Sequence, residues 1–359
     1  MLCNAPFLGL TIDPSGWLTL CCNTTDREYF KSNIADIDDL TEFFLSDKYE
    51  DIREKMKTVG MLGIAQCKNC WHAVDGLFDE IHNYNQKSYT EPLKIRYLEL
   101  TTSNVCNQTC VTCSSYFSSK WRSLEPKFGR QASPASYLKS DSIEKILKVL
   151  PDLKYLQIKG GEPFADKNNL KILQELSEVN PDCEVILTSN FQSINDEWWP
   201  ILKKLKNISA GASIDGVGES YDWIRGGNFN QTVQNMQRFK YETGNRVVIN
   251  VCVSLYNIFI LKQIYDFFFD KSYVSNVIFN NIVTSPYMLS PNILTIEELN
   301  IAIKKFGNDS NNLLGNIRKI KLNHGTALRE KFIKHTNTMN SIRGTNIFDI
   351  QPELAFLSK

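Results

Sequence analysis

The sequence predicts an α/β fold in which helices cover a parallel sheet. Short β-rich runs alternate with helical patterns from about residue 95, giving six strand–helix units. Such alternation is typical of a parallel sheet with right-handed crossovers. The strand runs are nearly continuously apolar, as expected when both faces of a sheet are covered. Six units fit an open, partial (β/α)6 barrel or a doubly wound sheet, and both folds bind ligands at the carboxyl ends of their strands.

The six predicted strands lie between residues 95 and 283. They are IRYLELTT (95–102), LKYLQIKG (153–160), CEVILTSN (183–190), ISAGASID (208–215), RVVINVCVSL (246–255) and VSNVIFNNIV (274–283). The helical patterns between them are SIEKILKVLPDL, NLKILQELSEVN, DEWWPILKKL, FNQTVQNMQRFKYETG and LKQIYDFFFDKS. We therefore predict the partial barrel over residues 91–290.

Two segments flank this series. Residues 1–90 contain many turn residues, the hairpin-like run LTIDPSGWLTLCC, a predicted helix over 39–58 and the pair CKNC. Residues 291–359 have a polar, helical pattern. We predict a small N-terminal module over 1–90 and a helical C-terminal extension over 291–359, which packs back onto the body.

Composition excludes some classes of partner and favours a reducing compartment. The 359 residues carry 40 basic and 40 acidic side chains, so no charge excess indicates nucleic acid or an anionic membrane as partner. The longest apolar run, VVINVCVSLYNIFIL, is too short to span a bilayer. The N-terminus lacks the pattern of a signal peptide. Ten cysteines in such a chain favour metal or redox chemistry in the cytoplasm over disulfides.

Three cysteines lie in the run VCNQTCVTC, directly after the first predicted strand of the series. Cys106, Cys110 and Cys113 have the spacing C-x3-C-x2-C. Thiolates suit iron–sulfur clusters and zinc. A four-iron cluster bound by three cysteines keeps one iron open for a substrate or cofactor. The alternative is a zinc site completed by a histidine. The four histidines, His72, His82, His324 and His335, all lie outside the β/α series, which favours the cluster.

This motif after the first strand of a partial barrel resembles the radical S-adenosylmethionine (radical SAM) enzymes. The resemblance implies that the open iron of a 4Fe–4S cluster binds SAM. It also implies that an electron from the cluster cleaves SAM to a 5′-deoxyadenosyl radical, which abstracts a hydrogen atom from the substrate. An electron donor such as a ferredoxin or flavodoxin is implied as a partner. Thr112 departs from the family, which usually has a large apolar residue before the third cysteine.

The resemblance also implies a SAM site at the end of the second strand. The run KGGEP provides Gly160 and Gly161, which allow close approach of the backbone to a ligand, and Glu162, which can accept a hydrogen bond from the SAM ammonium group.

Polar residues end the third and fourth strands of the series. Asn190 lies in TSN, and Ser213 and Asp215 lie in SIDG, where the family often binds ribose. Turn chemistry at strand ends is the alternative role of all three. The runs YDWIRGGNFNQTVQNM and RGTNIFDIQPEL also look like stretches of relatives.

The N-terminal cysteines resemble the auxiliary-cluster modules called SPASM and, in shortened form, twitch. Their pattern is C-x12-G-x4-C, followed by CKNC. The resemblance implies a closed second cluster, with ligands Cys3, Cys21, Cys67 and Cys70. Cys22 is the alternative to Cys21, because neighbours along a strand point to opposite faces. A structural zinc knuckle remains the alternative. In most relatives this module follows the barrel, whereas here it precedes it.

The resemblance therefore implies a cytoplasmic radical SAM enzyme, maturase-like, that modifies a peptide. The alternatives are a radical enzyme acting on a sugar or nucleotide metabolite and a non-catalytic zinc or cluster protein that binds a partner. Cys183 and Cys252 fall within predicted strands, and we expect them to be small core residues. The sequence does not identify a catalytic acid or base.

Overall fold

The computed structural model describes residues 3–21, 30–65, 67, 93–306 and 326–358. The described strands are β1 (Gly9–Ile12), β2 (Leu18–Thr19), β3 (Tyr97–Leu100), β4 (Tyr155–Ile158), β5 (Glu184–Ser189), β6 (Asn207–Ser213), β7 (Val247–Val253) and β8 (Val274–Ile282). The described helices are α1 (Ala5–Leu8), α2 (Leu40–Phe44), α3 (Asp47–Thr58), α4 (Ser140–Leu147), α5 (Lys167–Val179), α6 (Trp199–Lys204), α7 (Glu219–Arg225), α8 (Phe229–Thr243), α9 (Leu261–Phe268), α10 (Ile296–Phe306), α11 (Thr326–Arg343) and α12 (Ile347–Ile350).

The chain folds into two compact units. The first is drawn from residues 1–104, 135–187 and 196–208, and the second from residues 105–134, 188–195 and 209–359. Both units alternate strands and helices, and strands β3 to β8 correspond in order to the six predicted strands. The α/β class is therefore confirmed, while closure of the strands into a partial barrel stays a prediction.

The sheet of the first unit begins with the N-terminal hairpin. Strands β1 and β2 are antiparallel, and the turn between them is fixed by Asp13, whose Oδ1 accepts hydrogen bonds from the amides of Ser15 and Trp17. Gly16 adopts a φ of 84° in this turn. The predicted hairpin is confirmed. Its first strand also pairs in parallel with β3, which pairs with β4, and β4 pairs with β5. The sequence did not predict that β1 would join this sheet.

The helix predicted over 39–58 is two helices. Asp39 caps α2, accepting hydrogen bonds from the amides of Thr41 and Glu42. Ser46 has an extended conformation, with φ −69° and ψ 160°, and α3 begins after it. An extended residue interrupts the helical hydrogen-bond ladder, and the prediction of one continuous helix was wrong for this reason.

In the second unit, strands β6, β7 and β8 are parallel, and helix α11 packs against neighbouring parts of the same unit. Val247, Ile249, Val251 and Val253 of β7 are buried. On α11, Thr336 forms a 2.9 Å hydrogen bond with the hydroxyl of Tyr256, and the ring of Phe332 lies 5.2 Å from that of Tyr256. Among the described residues, no helix is long and apolar enough to cross a membrane.

His335 on α11 is a buried imidazole. It is 4% exposed, and its ring centroid lies 4.7 Å from that of Phe128. Neither ring nitrogen makes a regular hydrogen bond within the part of the chain described. Burial lowers the pKa of His335 to about 4, the Arg130 guanidinium acts in the same direction, and the Val111 backbone acts in the opposite direction.

We expect His335 to make the folded state less stable in acid. The unfolded imidazole, with a pKa near 6.5, binds a proton that the folded imidazole does not bind until about pH 4. The free energy of unfolding should therefore decrease as pH falls through this interval, by about 2 kcal/mol at pH 5. Urea unfolding from pH 7 to pH 5 should show a flatter dependence in His335→Asn than in the wild type. Equal slopes would contradict this expectation.

Candidate functional site

The three-cysteine loop is held in the second unit by backbone hydrogen bonds. The amide of Cys106 donates to Ser119 Oγ at 3.2 Å, and the amide of Cys113 donates to the Cys110 carbonyl at 3.0 Å. The Cys110 carbonyl also accepts from the Trp121 indole at 2.9 Å. Between the last two cysteines, the Val111 amide donates to the Ile224 carbonyl of α7 at 2.8 Å. These contacts fix the path of the loop on both sides of Cys110.

The three thiols are half-buried. Burial raises the pKa of the Cys113 thiol, and negative charge on Cys110 and Cys106 raises it further. Burial also raises the pKa of Cys110, whereas the Arg225 guanidinium opposes this, Asp215 adds to it and Arg343 opposes it. The positive charges of two arginines in the same unit therefore favour the thiolate form of Cys110.

The donor set fits an iron–sulfur cluster. Three soft thiolates from one short loop are the ligands such clusters take. Within the described ranges, no group of three or more His, Cys, Asp or Glu side chains converges as ligands of a single metal ion. A cluster places less demand on convergence, because each cysteine binds a different iron.

Gln108, between the first two cysteines, connects the loop to α7. Its side chain is fully buried, and its Nε2 donates to the Tyr221 hydroxyl at 3.1 Å. Its Oε1 accepts from Arg225 Nε at 3.3 Å and lies 3.7 Å from Cys110 Sγ. One amide side chain thus contacts a predicted ligand and the arginine beside it.

Asn190 lies against the same loop. It is 4% exposed, and its Nδ2 is 3.9 Å from Cys106 Sγ and 2.7 Å from Asn107 Oδ1. Its Oδ1 accepts a hydrogen bond from the amide of Gln192. The structure therefore brings Asn190, predicted as cofactor-binding, next to a predicted ligand. Its contact with a cofactor stays a prediction.

Asp215 contacts Arg225 and the backbone. It is 2% exposed, and its Oδ2 lies 2.6 Å from Arg225 Nη1. Its Oδ1 accepts from the amide of Cys252 at 2.8 Å. With both oxygens engaged, Asp215 orients the arginine that donates to Gln108 of the loop. Ser213, at the end of β6, is half-buried and pairs in register with Asn250. The predicted ribose contacts of Ser213 and Asp215 stay predictions.

Cys252 lies nearer to this network than the sequence suggested. It is half-buried on the more open face of β7. Burial raises its pKa to about 12, and the charges of Asp215 and Cys110 raise it while Arg225 lowers it. The expectation of a small core residue was based on its place in an apolar strand. This expectation overlooked that side chains along β7 alternate between a buried and a half-buried face, and Cys252 lies on the half-buried face.

Gly160, Gly161 and Glu162 form a tight turn within the first unit. The glycines have φ of 75° and 50°, which L side chains adopt at a cost. A Cβ on Gly160 would lie 2.2 Å from Thr101 Cγ2. Glu162 is 1% exposed, and its Oε1 accepts from the amide of Phe164 at 3.1 Å, capping the short helix that follows. The SAM contacts of this turn stay predictions.

The N-terminal cysteines are described in part. Cys3, Cys21 and Cys67 are buried in the first unit. Cys3 Sγ accepts from the amide of Ala5 at 3.5 Å. Burial raises the pKa of Tyr49, Arg53 opposes this rise, and Cys21 adds to it. Cys70 and Cys22 lie outside the described residues. The second cluster stays a prediction.

Residues 100–268 match the family model of the Radical SAM superfamily. The match spans slightly less than half of the chain and includes the three-cysteine loop, KGGEP, Asn190, Ser213 and Asp215. It supports the radical SAM superfamily for this part of the chain.

Curated relatives and solved structures are similar to the chain at low identity. The chain is 24% identical to GTP 3′,8-cyclase of Desulforamulus reducens over 162 residues, and the aligned segment covers 44% of each protein. It is 25% identical over 163 residues to GTP 3′,8-cyclase of Petrotoga mobilis, which covers 44% of this chain and 47% of the relative. The chain thus spans less than half the length of these curated relatives.

The solved structures match the chain with low TM-scores. Polyhistidine-tagged anSMEcpe with bound AdoMet has a TM-score of 0.44 and 17% identity, over 62% of this chain and 60% of that one. Streptococcus suis SuiB bound to S-adenosylmethionine has a TM-score of 0.40 and 18% identity, over 79% of this chain and 62% of that one.

The structure reveals contacts around the three-cysteine loop that the motif alone did not indicate. Gln108 contacts Cys110, Arg225 donates to Gln108, and Arg343 donates to Thr109, although only the three cysteines had been assigned to the loop site. The runs YDWIRGGNF and RGTNIFDIQPEL, which contain the two arginines, looked like stretches of relatives, but no local pattern indicated which side chain points to the loop.

We expect Gly160→Ala to destabilise the protein by about 2 kcal/mol, because it combines a strained φ with a clash against Thr101. Gly129→Ala is the matched control, since Gly129 has a φ of 67° and open space around its Cβ position. The control should cost about 1 kcal/mol, from backbone strain alone. Urea unfolding measures both, and equal losses would contradict the close approach to Thr101.

Asp215→Asn should destabilise the protein by about 3 kcal/mol, because it leaves the charge of Arg225 buried without its partner. Asp266→Asn is the control. It breaks the pair with Lys262, whose two side chains are 51% and 56% exposed, and should cost less than about 1 kcal/mol. The free energy of unfolding from urea titrations compares the two variants. A loss in Asp215→Asn no larger than in the control would contradict the structural role of this pair.

Proposed function

We propose that this chain is a radical SAM enzyme whose 4Fe–4S cluster is bound by Cys106, Cys110 and Cys113. The observation that carries the proposal is the presence of three half-buried thiols in one loop, inside the region that matches the family model. When bound there, the cluster supplies the electron for reductive cleavage of SAM, which generates the species that abstracts hydrogen from substrate.

The side chains around the loop have three roles in this proposal. The thiolates bind iron. Arg225 and Arg343 offset negative charge at Cys110. The amide of Asn190 donates toward Cys106 Sγ, which stabilises a thiolate at that position.

SAM binding is proposed for the strand-end residues. Gly160 and Gly161 would allow the ligand to approach the backbone, and Glu162 would accept from its ammonium group. Ser213 would reach the ribose directly. Asp215, already engaged by Arg225 and Cys252, would act by keeping Arg225 in place.

We propose a peptide as the substrate. The support is the resemblance of the N-terminal cysteine pattern to twitch and SPASM modules, whose bearers often modify peptides or oxidise small polar metabolites. A second cluster bound by Cys3, Cys21, Cys67 and Cys70 belongs to this proposal, with zinc as the alternative metal. The burial of Cys3, Cys21 and Cys67 is compatible with either metal.

A nucleotide substrate is the second candidate. It is favoured by the similarity to two GTP 3′,8-cyclases, which covers 44% of this chain. The relatives extend well beyond the aligned part, so their similarity concerns the radical SAM region and not the whole enzyme.

We expect the anaerobically reconstituted protein to form 5′-deoxyadenosine from SAM when dithionite is added. Cys110→Ala should form at least tenfold less, because the cluster loses one of its three ligands. Cys183→Ala removes a buried cysteine elsewhere in the chain and is the matched control, which should retain activity. Liquid chromatography with mass spectrometry quantifies the product.

Iron and sulfide analysis of the same samples counts the clusters. Two clusters give about eight irons per chain, and a variant lacking Cys106, Cys110 and Cys113 should keep about four. Zinc in place of this remainder would identify the N-terminal site as a zinc knuckle. Wild-type protein that contains the loop cluster but neither binds nor cleaves SAM would overturn the proposed enzyme.

A further inference from the structure

The C-terminal helix α11 ends with an arginine bound to the three-cysteine loop. Arg343 Nη2 donates to the carbonyl of Thr109 at 2.6 Å, and Nη1 donates to its hydroxyl at 2.7 Å. The Nε of the same guanidinium donates to the carbonyl of Trp223 on α7 at 2.8 Å. Thr109 directly precedes Cys110. One side chain therefore connects α11, α7 and the residue next to a predicted ligand.

The charge of Arg343 is not offset by its hydrogen-bond acceptors. Arg225 pairs with the carboxylate of Asp215, whereas the described acceptors of Arg343 are two backbone carbonyls and a hydroxyl. Two of these three hydrogen bonds are to Thr109, so the guanidinium is held against the residue that directly precedes Cys110. A positive charge that is partly desolvated acts strongly on neighbouring anions, because the surrounding dielectric constant is low.

The guanidinium of Arg343 packs against Gly226, where a larger residue would clash with it. A Cβ on Gly226 would lie 2.5 Å from Arg343 Nη1, and 2.6 Å from both Arg343 Nη2 and Thr109 Oγ1. Gly226 also has a φ of 65°, which glycine adopts without strain. The glycine that ends α7 thus permits the close packing of Arg343 against the loop.

We infer that Arg343 is a positioning residue of the three-cysteine loop, and that its charge raises the reduction potential of a cluster bound there. The inference rests on the proposed function, since it requires a cluster at Cys106, Cys110 and Cys113. Its three hydrogen bonds fix the loop next to Cys110, and its charge favours the reduced cluster, which has one more negative charge than the oxidised cluster.

The test compares Arg343→Gln and Arg343→Lys with the wild type, without SAM or substrate. Lys334→Gln is the matched control, because Lys334 is exposed on the same helix and its loss changes the net charge equally. After reconstitution, electron paramagnetic resonance (EPR) is recorded during a redox titration. The signal absent from Cys110→Ala is assigned to the loop cluster.

We expect Arg343→Gln to make reduction of this cluster about tenfold less favourable, a shift of about 59 mV to more negative potential for a one-electron couple. Arg343→Lys should recover most of the shift, because it keeps the charge. Its EPR spectrum should differ from that of the wild type, because an ammonium group cannot reproduce the planar arrangement of three hydrogen bonds. Lys334→Gln should match the wild type in both potential and spectrum.

Two results would overturn the inference alone, with the proposed function intact. One is a folded Arg343→Gln whose loop cluster has the wild-type potential, and the other is an equal shift in Lys334→Gln. Circular dichroism shows whether Arg343→Gln folds. If it does not fold, the EPR spectrum of Arg343→Lys tests the positioning role: an altered EPR spectrum supports this role, and a wild-type EPR spectrum overturns it. Wild-type protein without a Cys110-dependent cluster would overturn both the proposed function and the inference.

Discussion

The placement of three half-buried thiols in one short loop is the constraint on which the surroundings of that loop depend. Each thiolate formed there adds negative charge where water is partly excluded, and such charge is costly unless cations or hydrogen-bond donors lie nearby. The surroundings of the loop meet this requirement. Arg225 arrives from α7, Arg343 from α11 and the amide of Asn190 from the end of β5.

Each of these groups is in turn held by others. Asp215 orients Arg225, and the Asp215 carboxylate accepts from the amide of Cys252 on β7. Gln108 joins the loop to Tyr221 and Arg225. The strands of this unit therefore do more than form a core, because the segment that follows β6 supplies Asp215, the acceptor that positions Arg225.

The sequence predicted the strands well and the surroundings of the loop poorly, for a physical reason. Apolar runs and helical periods are local signals, so the positions of the six strands along the sequence and the α/β class could be predicted from them. The contact between Arg343 and Thr109 joins residues separated by 234 positions, and nothing local to either residue indicates the other. The split between α2 and α3 was missed because it depends on the extended backbone of Ser46, within a run that keeps a helical pattern.

The pairing of β1 with β3 has a consequence for the order in which the first unit assembles. Thr11 pairs in register with Glu99, so β1 leaves the ribosome long before β3. The two strands are separated by roughly 90 residues, and their ends must come together before the hydrogen bonds between them form. Until then, β1 has only β2 as a strand partner, in a two-stranded hairpin that is marginally stable in water. The N-terminal segment therefore completes its structure only after the first strand of the β/α series has been synthesised. During translation, one edge of the hairpin has unpaired backbone hydrogen-bonding groups until β3 pairs with it.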